Sequence, residues 1–126
     1  MESKHSLIHK ETTEKIIGAA MVVLNELGPG LDEKIYERAL VLELQSMNIA
    51  VAHQQSFPVI YREKEIGLLI PDLIVNQEVL VETKIAESFT SAHEAQVIGY
   101  LAITELRVGL WLNFKFARLQ WKRLVR

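Results

Sequence analysis

Ile70-Pro71-Asp72-Leu73-Ile74-Val75-Asn76-Gln77-Glu78-Val79-Leu80-Val81-Glu82-Thr83-Lys84-Ile85 holds two apolar, β-branched runs joined by a polar pair. Such runs read as strands, with Asn76-Gln77 as the turn between them. A parallel crossover takes a dozen or more residues, so a link from 75 to 79 makes the two strands antiparallel neighbours. Side chains alternate along a strand, which puts Val79, Val81, Thr83 and Ile85 on one side and Leu80, Glu82 and Lys84 on the other. In the preceding strand Ile70, Asp72 and Ile74 share a face. A suitable register then sets Asp72 and Glu82 on one face near one sheet end, beside Lys84, while Thr83 faces away.

Charge that interrupts an apolar strand is expensive unless something compensates it. One compensator is a divalent cation, because carboxylate oxygens suit hard ions such as magnesium. A metal held there would activate water and stabilise charge developing on a phosphodiester. The other is a plain cross-strand ion pair at a solvated sheet end. The bare string does not choose, since acid-x-Lys also occurs at Glu2-Ser3-Lys4 and Asp32-Glu33-Lys34. Setting separates the three: the first lies in a polar tail and the second opens a helix, where positions two apart do not face each other.

Outward from this pair, a first helix is expected from Thr12 or Thr13 to Leu27, with Ile16, Ile17, Ala20, Val23, Leu24 and Leu27 as its apolar stripe. Gly28-Pro29-Gly30 ends it. A second runs from about Asp32 to Met47, burying Ile35, Ala39, Leu40, Leu42 and Leu44. Strands are expected at Ala50 to Tyr61, Glu65 to Val75 and Val79 to Ile85, then a helix from Thr90 to Thr104 burying Ala95, Ile98, Leu101 and Ala102. Two last strands fit Val108 to Asn113 and Ala117 to Lys122. The order predicts an α/β sandwich with a mixed sheet.

The 126 residues, 49% hydrophobic, suffice for one domain over 1–126, with residues 1–11 as a mobile tail. With no cysteine, thiolate metal sites and thiol catalysis are excluded. Without a spanning run or a secretory signal, the expectation is a soluble, cytoplasmic protein with no membrane partner. A net charge of -2 is not the footprint of a strong non-specific nucleic-acid binder. Yet no acid follows Glu105, while Arg107, Lys115, Arg118, Lys122, Arg123 and Arg126 do. That end offers either phosphate contacts or an edge strand guarded by charge.

Three further groups stand near the pair in this reading. Gln96 and Tyr100, four apart on one helix face, offer an amide and a hydroxyl to a phosphate or to Lys84, or form a half-buried helix edge. Glu33 supplies a third carboxylate or complements the helix dipole. His93, with no second histidine at metal spacing, reads as a cap.

Gly30-Leu31-Asp32-Glu33-Lys34-Ile35-Tyr36 spells G-x-x-E-x-x-Y. With Gly28-Pro29-Gly30, Pro71-Asp72, Glu82-Thr83-Lys84, His93-Glu94-Ala95-Gln96, Tyr100-Leu101 and Leu112-Asn113-Phe114, the chain resembles the small prokaryotic GxxExxY proteins of the PD-(D/E)XK nuclease superfamily. The likeness runs from about Ile16 to Val125. Gln96-Val97-Ile98-Gly99-Tyr100 also resembles the Q-x-x-x-Y motif of RecB-like exonuclease branches.

The resemblance implies a restriction-endonuclease-like three-layer sandwich, a central mixed β-sheet flanked by helices. It implies a divalent-metal-dependent nuclease using Mg2+ or Mn2+, with Asp72, Glu82 and the Ile85 carbonyl as metal ligands. Lys84 would assist the attacking water, Glu33 would be the helix-borne acid, and Gln96 with Tyr100 would steady substrate or lysine. Nucleic acid is the implied partner, DNA favoured over RNA, and a homodimer would place two sites along one duplex. The competing readings are a catalytically silent nucleic-acid-binding or regulatory module on the same fold and a structural partner in a larger complex.

Overall fold

The computed structural model describes residues 8–126. Its helices are α1 (Lys10–Leu27), α2 (Glu33–Ser46) and α3 (Ser91–Thr104). Its strands are β1 (Val51–His53), β2 (Phe57–Tyr61), β3 (Lys64–Leu69), β4 (Leu73–Val75), β5 (Val79–Lys84), β6 (Val108–Asn113) and β7 (Gln120–Val125). Five strands form one sheet in the order β1-β4-β5-β6-β7, and β2 with β3 form a separate ribbon. Only β5 and β6 run parallel, joined through α3, so the sheet is mixed as expected.

Strand alternation builds two cores. Leu73, Val75, Val79, Val81, Val108, Leu110 and Leu112 pack against α1 and α2 through Ile16, Ala20, Leu40 and Leu44. Ile74, Leu80 and Trp111 face the other way, onto Val97 and Leu101 of α3. The result is a sandwich of three layers, helices on both faces of a mixed sheet. Where α3 crosses β6 the approach is tight: a Cβ on Gly109 would lie 2.7 Å from Val97 Cγ1.

Both long strands expected in the middle of the chain are broken. Ala50 to Tyr61 divides into β1 and β2, with Gln54 at φ 58, and Glu65 to Val75 divides into β3 and β4 across Ile70-Pro71-Asp72. Proline has no N–H for a ladder, so pairing stops there. The breaks coincide, Gln54 N donating to the Asp72 carbonyl at 3.0 Å, and the β2–β3 ribbon leaves the sheet at that level. The turns at Arg62-Glu63 and Asn76-Gln77 have positive φ at both residues, the twist that the two-residue hairpin between Tyr61 and Lys64 needs.

Other boundaries differ too. Helix α1 starts at Lys10, inside the expected tail, because Thr12 and Thr13 are buried rather than capping: Thr12 Oγ1 donates to Glu78 Oε2 at 2.7 Å and Thr13 Oγ1 to the Lys10 carbonyl. The remainder of that tail, residues 1–7, lies outside the described residues. The last strand is Gln120–Val125, not Ala117 to Lys122; Phe114 is wholly buried, stacked 4.9 Å from Tyr36, and the chain from it to Leu119 is spent as loop. Leu27, Ile35, Leu42, Ala95 and Ala102, expected inside, are exposed, while Val97 is buried. Among the described residues no helix is long and apolar enough to cross a membrane.

Candidate functional site

The strand break is what builds the site. Leu73 pairs with Val81, so continued pairing would bring Asp72 opposite Glu82. Instead Asp72 sits on a bend, and the two residues exchange bonds with each other's strand. Asp72 N donates to Glu82 Oε2 at 2.8 Å, while Asp72 Oδ2 accepts from Thr83 N at 2.8 Å and Thr83 Oγ1 at 2.9 Å. Thr83 therefore does not stand apart from the site, as strict alternation predicts; its hydroxyl fixes the Asp72 carboxylate, because Asp72 has left the ladder. Each carboxylate keeps one oxygen, Asp72 Oδ1 and Glu82 Oε1, outside these hydrogen bonds.

Lys84 Nζ stands 4.0 Å from Glu82 Oε1. Glu82 is 4% exposed. Burial, reinforced by the neighbouring Asp72 charge, pushes its carboxyl up to about 7, against the opposing pull of the Asp72 N–H and Lys84. Asp72 is also raised by burial, opposed by the Thr83 N–H, with the adjacent Glu37 carboxylate adding to the rise.

Glu37 is the residue that sequence reasoning missed. It lies on α2 one turn after Glu33, is 1% exposed, and accepts from Lys34 Nζ at 3.3 Å, His53 Nε2 at 2.6 Å and Gln54 Nε2 at 3.2 Å. Burial pushes its carboxyl up, but the His53 and Lys34 bonds outweigh that and hold it below the usual carboxylate range. The Lys34 ammonium, lowered by its slight burial, is raised overall by Glu37. A signal was available: Tyr36, Leu40 and Leu44 define the buried side of α2, and Glu37 falls on it. A charge on the buried face of an amphipathic helix needs a partner.

Glu33 reaches the site by another route, its Oε1 accepting from Ile85 N at 3.2 Å just past Lys84. Tyr36 does not reach it. Its hydroxyl donates to the Gly28 carbonyl at 2.6 Å and accepts from Leu31 N at 3.1 Å, tying down a loop whose Gly28 and Gly30 have φ of 73° and 105°. Asn113, fully buried, clamps the chain beyond Lys84, donating to the Ala86 carbonyl at 2.7 Å and accepting from Ala86 N at 3.0 Å. Gln96 Nε2 donates to Tyr100 Oη at 3.1 Å, and neither side chain hydrogen-bonds Lys84. His93 caps α3 together with Thr90.

The structure thus gathers Glu33, Glu37, Asp72, Glu82 and Lys84 at one sheet end and leaves Gln96 and Tyr100 bonded to each other. Among the described residues no three His, Asp or Glu side chains stand in metal-holding geometry. The donor chemistry nonetheless suits a hard divalent cation: a half-buried and a buried carboxylate, both with raised affinity for protons, stand side by side at one sheet end.

A family model described as the PD-(D/E)XK nuclease superfamily matches residues 10–124. No curated protein matches the chain in sequence. Among solved structures, the crystal structure of SSO0001 is similar with a TM-score of 0.55 at 16% identity, covering 94% of this chain and 59% of that one. The chain therefore spans less than two thirds of that protein and shares its fold. The alkaline exonuclease LHK-Exo from Laribacter hongkongensis gives a TM-score of 0.42 at 11% identity, over 90% of this chain and 82% of that one.

Proposed function

The chain belongs to the PD-(D/E)XK nuclease superfamily, and from that premise we propose that it is a divalent-metal-dependent nuclease of the GxxExxY group, hydrolysing phosphodiester bonds of nucleic acid with DNA as the favoured substrate. The observation that carries this reading is the pair of carboxylates, half-buried Asp72 and buried Glu82, each fixed by the other's strand, with Glu82 Oε1 4.0 Å from the Lys84 ammonium. Asp72, Glu82 and the Ile85 carbonyl would hold Mg2+ or Mn2+, which when bound lowers the pKa of a water and neutralises developing phosphate charge. Lys84 orients the attacking water and stabilises negative charge on the phosphoryl oxygens. Glu33 holds Ile85 in place through its backbone N–H, and Glu37, which faces Asp72, is the more buried of the two helix-borne acids. Gln96 and Tyr100 steady the substrate from α3.

In this reading residues 1–126 act as one domain in the cytoplasm, and a second copy is the protein partner. The exposed ribbon residues Ile60, Ile66 and Leu68, with Ile70 just beyond the ribbon, each more than half accessible, support self-association. A second reading, a silent binding or regulatory module, draws on one observation: both Glu37 oxygens are already occupied by Lys34, His53 and Gln54.

One panel separates the readings. Purified protein is assayed on single-stranded, double-stranded and structured DNA and RNA with Mg2+, Mn2+ or chelator. The nuclease reading expects cleavage that requires the cation and disappears in Asp72→Ala and Lys84→Ala. Intact substrates throughout, with no cation bound in calorimetry, favour the silent module.

A further inference from the structure

A cleft of about 440 Å³ opens beside the candidate site, lined by Ser88, Phe89, Trp111, Gln120, Trp121 and Lys122 among others. Its position follows from the sheet register. Glu82 pairs with Trp111 and Trp111 with Lys122, while Lys84 pairs with Asn113 and Asn113 with Gln120. Paired residues share a sheet face, so Trp111, Gln120 and Lys122 project from the same face as Glu82 and Lys84. Two strand spacings separate Lys84 from Gln120, about 10 Å. A single strand of nucleic acid whose phosphate lies at Lys84 passes over this cleft.

The lining has the two chemistries that an unpaired nucleotide uses. Phe89 offers a ring face on which Lys122 Nζ already rests, 5.9 Å from the centroid. The ring is held from behind, Trp111 meeting it edge-on at 4.9 Å and His93 lying 6.2 Å away at 26°. The platform is thus preorganised, and the side chain over it, Lys122, is exposed. Of the two nearby lysines, Lys115 is paired with Glu87 at 3.3 Å, which also cancels the one acid on the rim. Among the described residues Lys122 makes no ion pair, and its ammonium is the cation offered to a phosphate. The volume is that of a site for one small organic ligand.

We propose that this cleft binds one unpaired nucleotide of the substrate strand, its base stacked on Phe89 in the place now taken by the Lys122 ammonium and its phosphate held by Lys122. The inference rests on the nuclease reading for the presence of a strand at Lys84 and adds to it a preference for single-stranded substrate. Stacking on an aromatic ring is sequence-tolerant, so no base preference follows.

Both tryptophans of the chain line the cleft, so intrinsic fluorescence reports on it directly. Full-length protein is titrated in chelator with short oligodeoxythymidine, oligouridine, and a DNA duplex of the same length. The expected result is quenching by the single strands and little by the duplex. Phe89→Leu, which keeps an apolar side chain in place, and Lys122→Gln should each weaken single-strand binding about tenfold. Lys122→Gln should also lower the salt dependence by about one phosphate contact, a change that a packing role would not produce. Either sugar supports the cleft, and the stronger arm names the preference. Equal quenching by duplex, no quenching, or wild-type binding in both variants overturns it. Cation-dependent cleavage without quenching leaves the nuclease reading standing and removes the cleft. Quenching without cleavage in any cation does the reverse.

Discussion

At the scale of single residues the site is an exchange of bonds between two chain segments. Asp72 gives its N–H to Glu82 and takes the Thr83 amide and hydroxyl in return. Thr83→Val keeps the shape and removes the hydroxyl. It should cost about 1 kcal/mol in stability and weaken divalent-cation binding, read by chemical denaturation and calorimetry. Glu82 gives a pH dependence of definite sign. Its folded pKa of about 7 lies above the unfolded value of 4.5, so the cation-free folded state holds this proton more tightly. Stability from this group is fully present below about pH 4.5 and is lost as pH rises through 7, by up to about 3 kcal/mol. Asp72, also raised, acts in the same direction; Glu37, lowered, acts oppositely and contributes stability that is lost on acidification. Melting in chelator should therefore fall between pH 5 and 8, and Glu82→Gln should flatten that fall. A wild-type slope unchanged in Glu82→Gln would show that the burial of this carboxyl does not govern the profile.

At the scale of elements, two helices set the site from opposite faces of the sheet. Helix α2 delivers Glu33 and Glu37, and its angle is fixed by Tyr36, whose hydroxyl ties the preceding loop and whose ring stacks on Phe114. Tyr36→Phe leaves the stack and orphans the Gly28 carbonyl and Leu31 amide. A loss of about 1–3 kcal/mol is expected, with cleavage reduced only as far as α2 loosens. On the other face α3 rests on Gly109, where a methyl group would meet Val97 Cγ1 at 2.7 Å. Gly109→Ala should destabilise by about 1–3 kcal/mol in denaturant, since a β-branched helix residue cannot easily turn aside. Gly109→Ala with Val97→Ala should recover part of the loss if that contact is the cause.

At the scale of the whole molecule, the proposed cation site would couple stability to cation binding through the carboxylates at one sheet end. A divalent cation that displaces the Glu82 proton should raise the melting temperature more at pH 8 than at pH 5, because fewer protons must then leave. The difference should disappear in Asp72→Ala/Glu82→Gln; equal shifts at both pH values would place the cation elsewhere. Much of this architecture was legible in the chain. The 75-to-79 link made β4 and β5 antiparallel neighbours, three helices and a mixed sheet followed from periodicity, and His93 read as a cap, which it is, with Thr90 as the partner that the structure supplies. The burial of Leu42, expected inside and found outside, was misjudged because periodicity gives the stripe of a helix but not which residues at its margin meet the sheet.

The sequence by itself determined the three helices, the order of helix and strand regions, the adjacency of Asp72 to the strand of Glu82 and Lys84, and, through its motifs, the superfamily. These are local properties, set by side-chain period, turn chemistry and the length of a link. Only the tertiary structure decided that Pro71 and Gln54 break two strands at one level, so that Asp72 turns out of the ladder and takes the Thr83 hydroxyl. It alone decided that Glu37, with His53 and Lys34, packs against that carboxylate, and that Lys122 lies over Phe89 beside Trp111. Those contacts join residues from separate elements, and their energies depend on burial and on distances that no spacing along the chain contains.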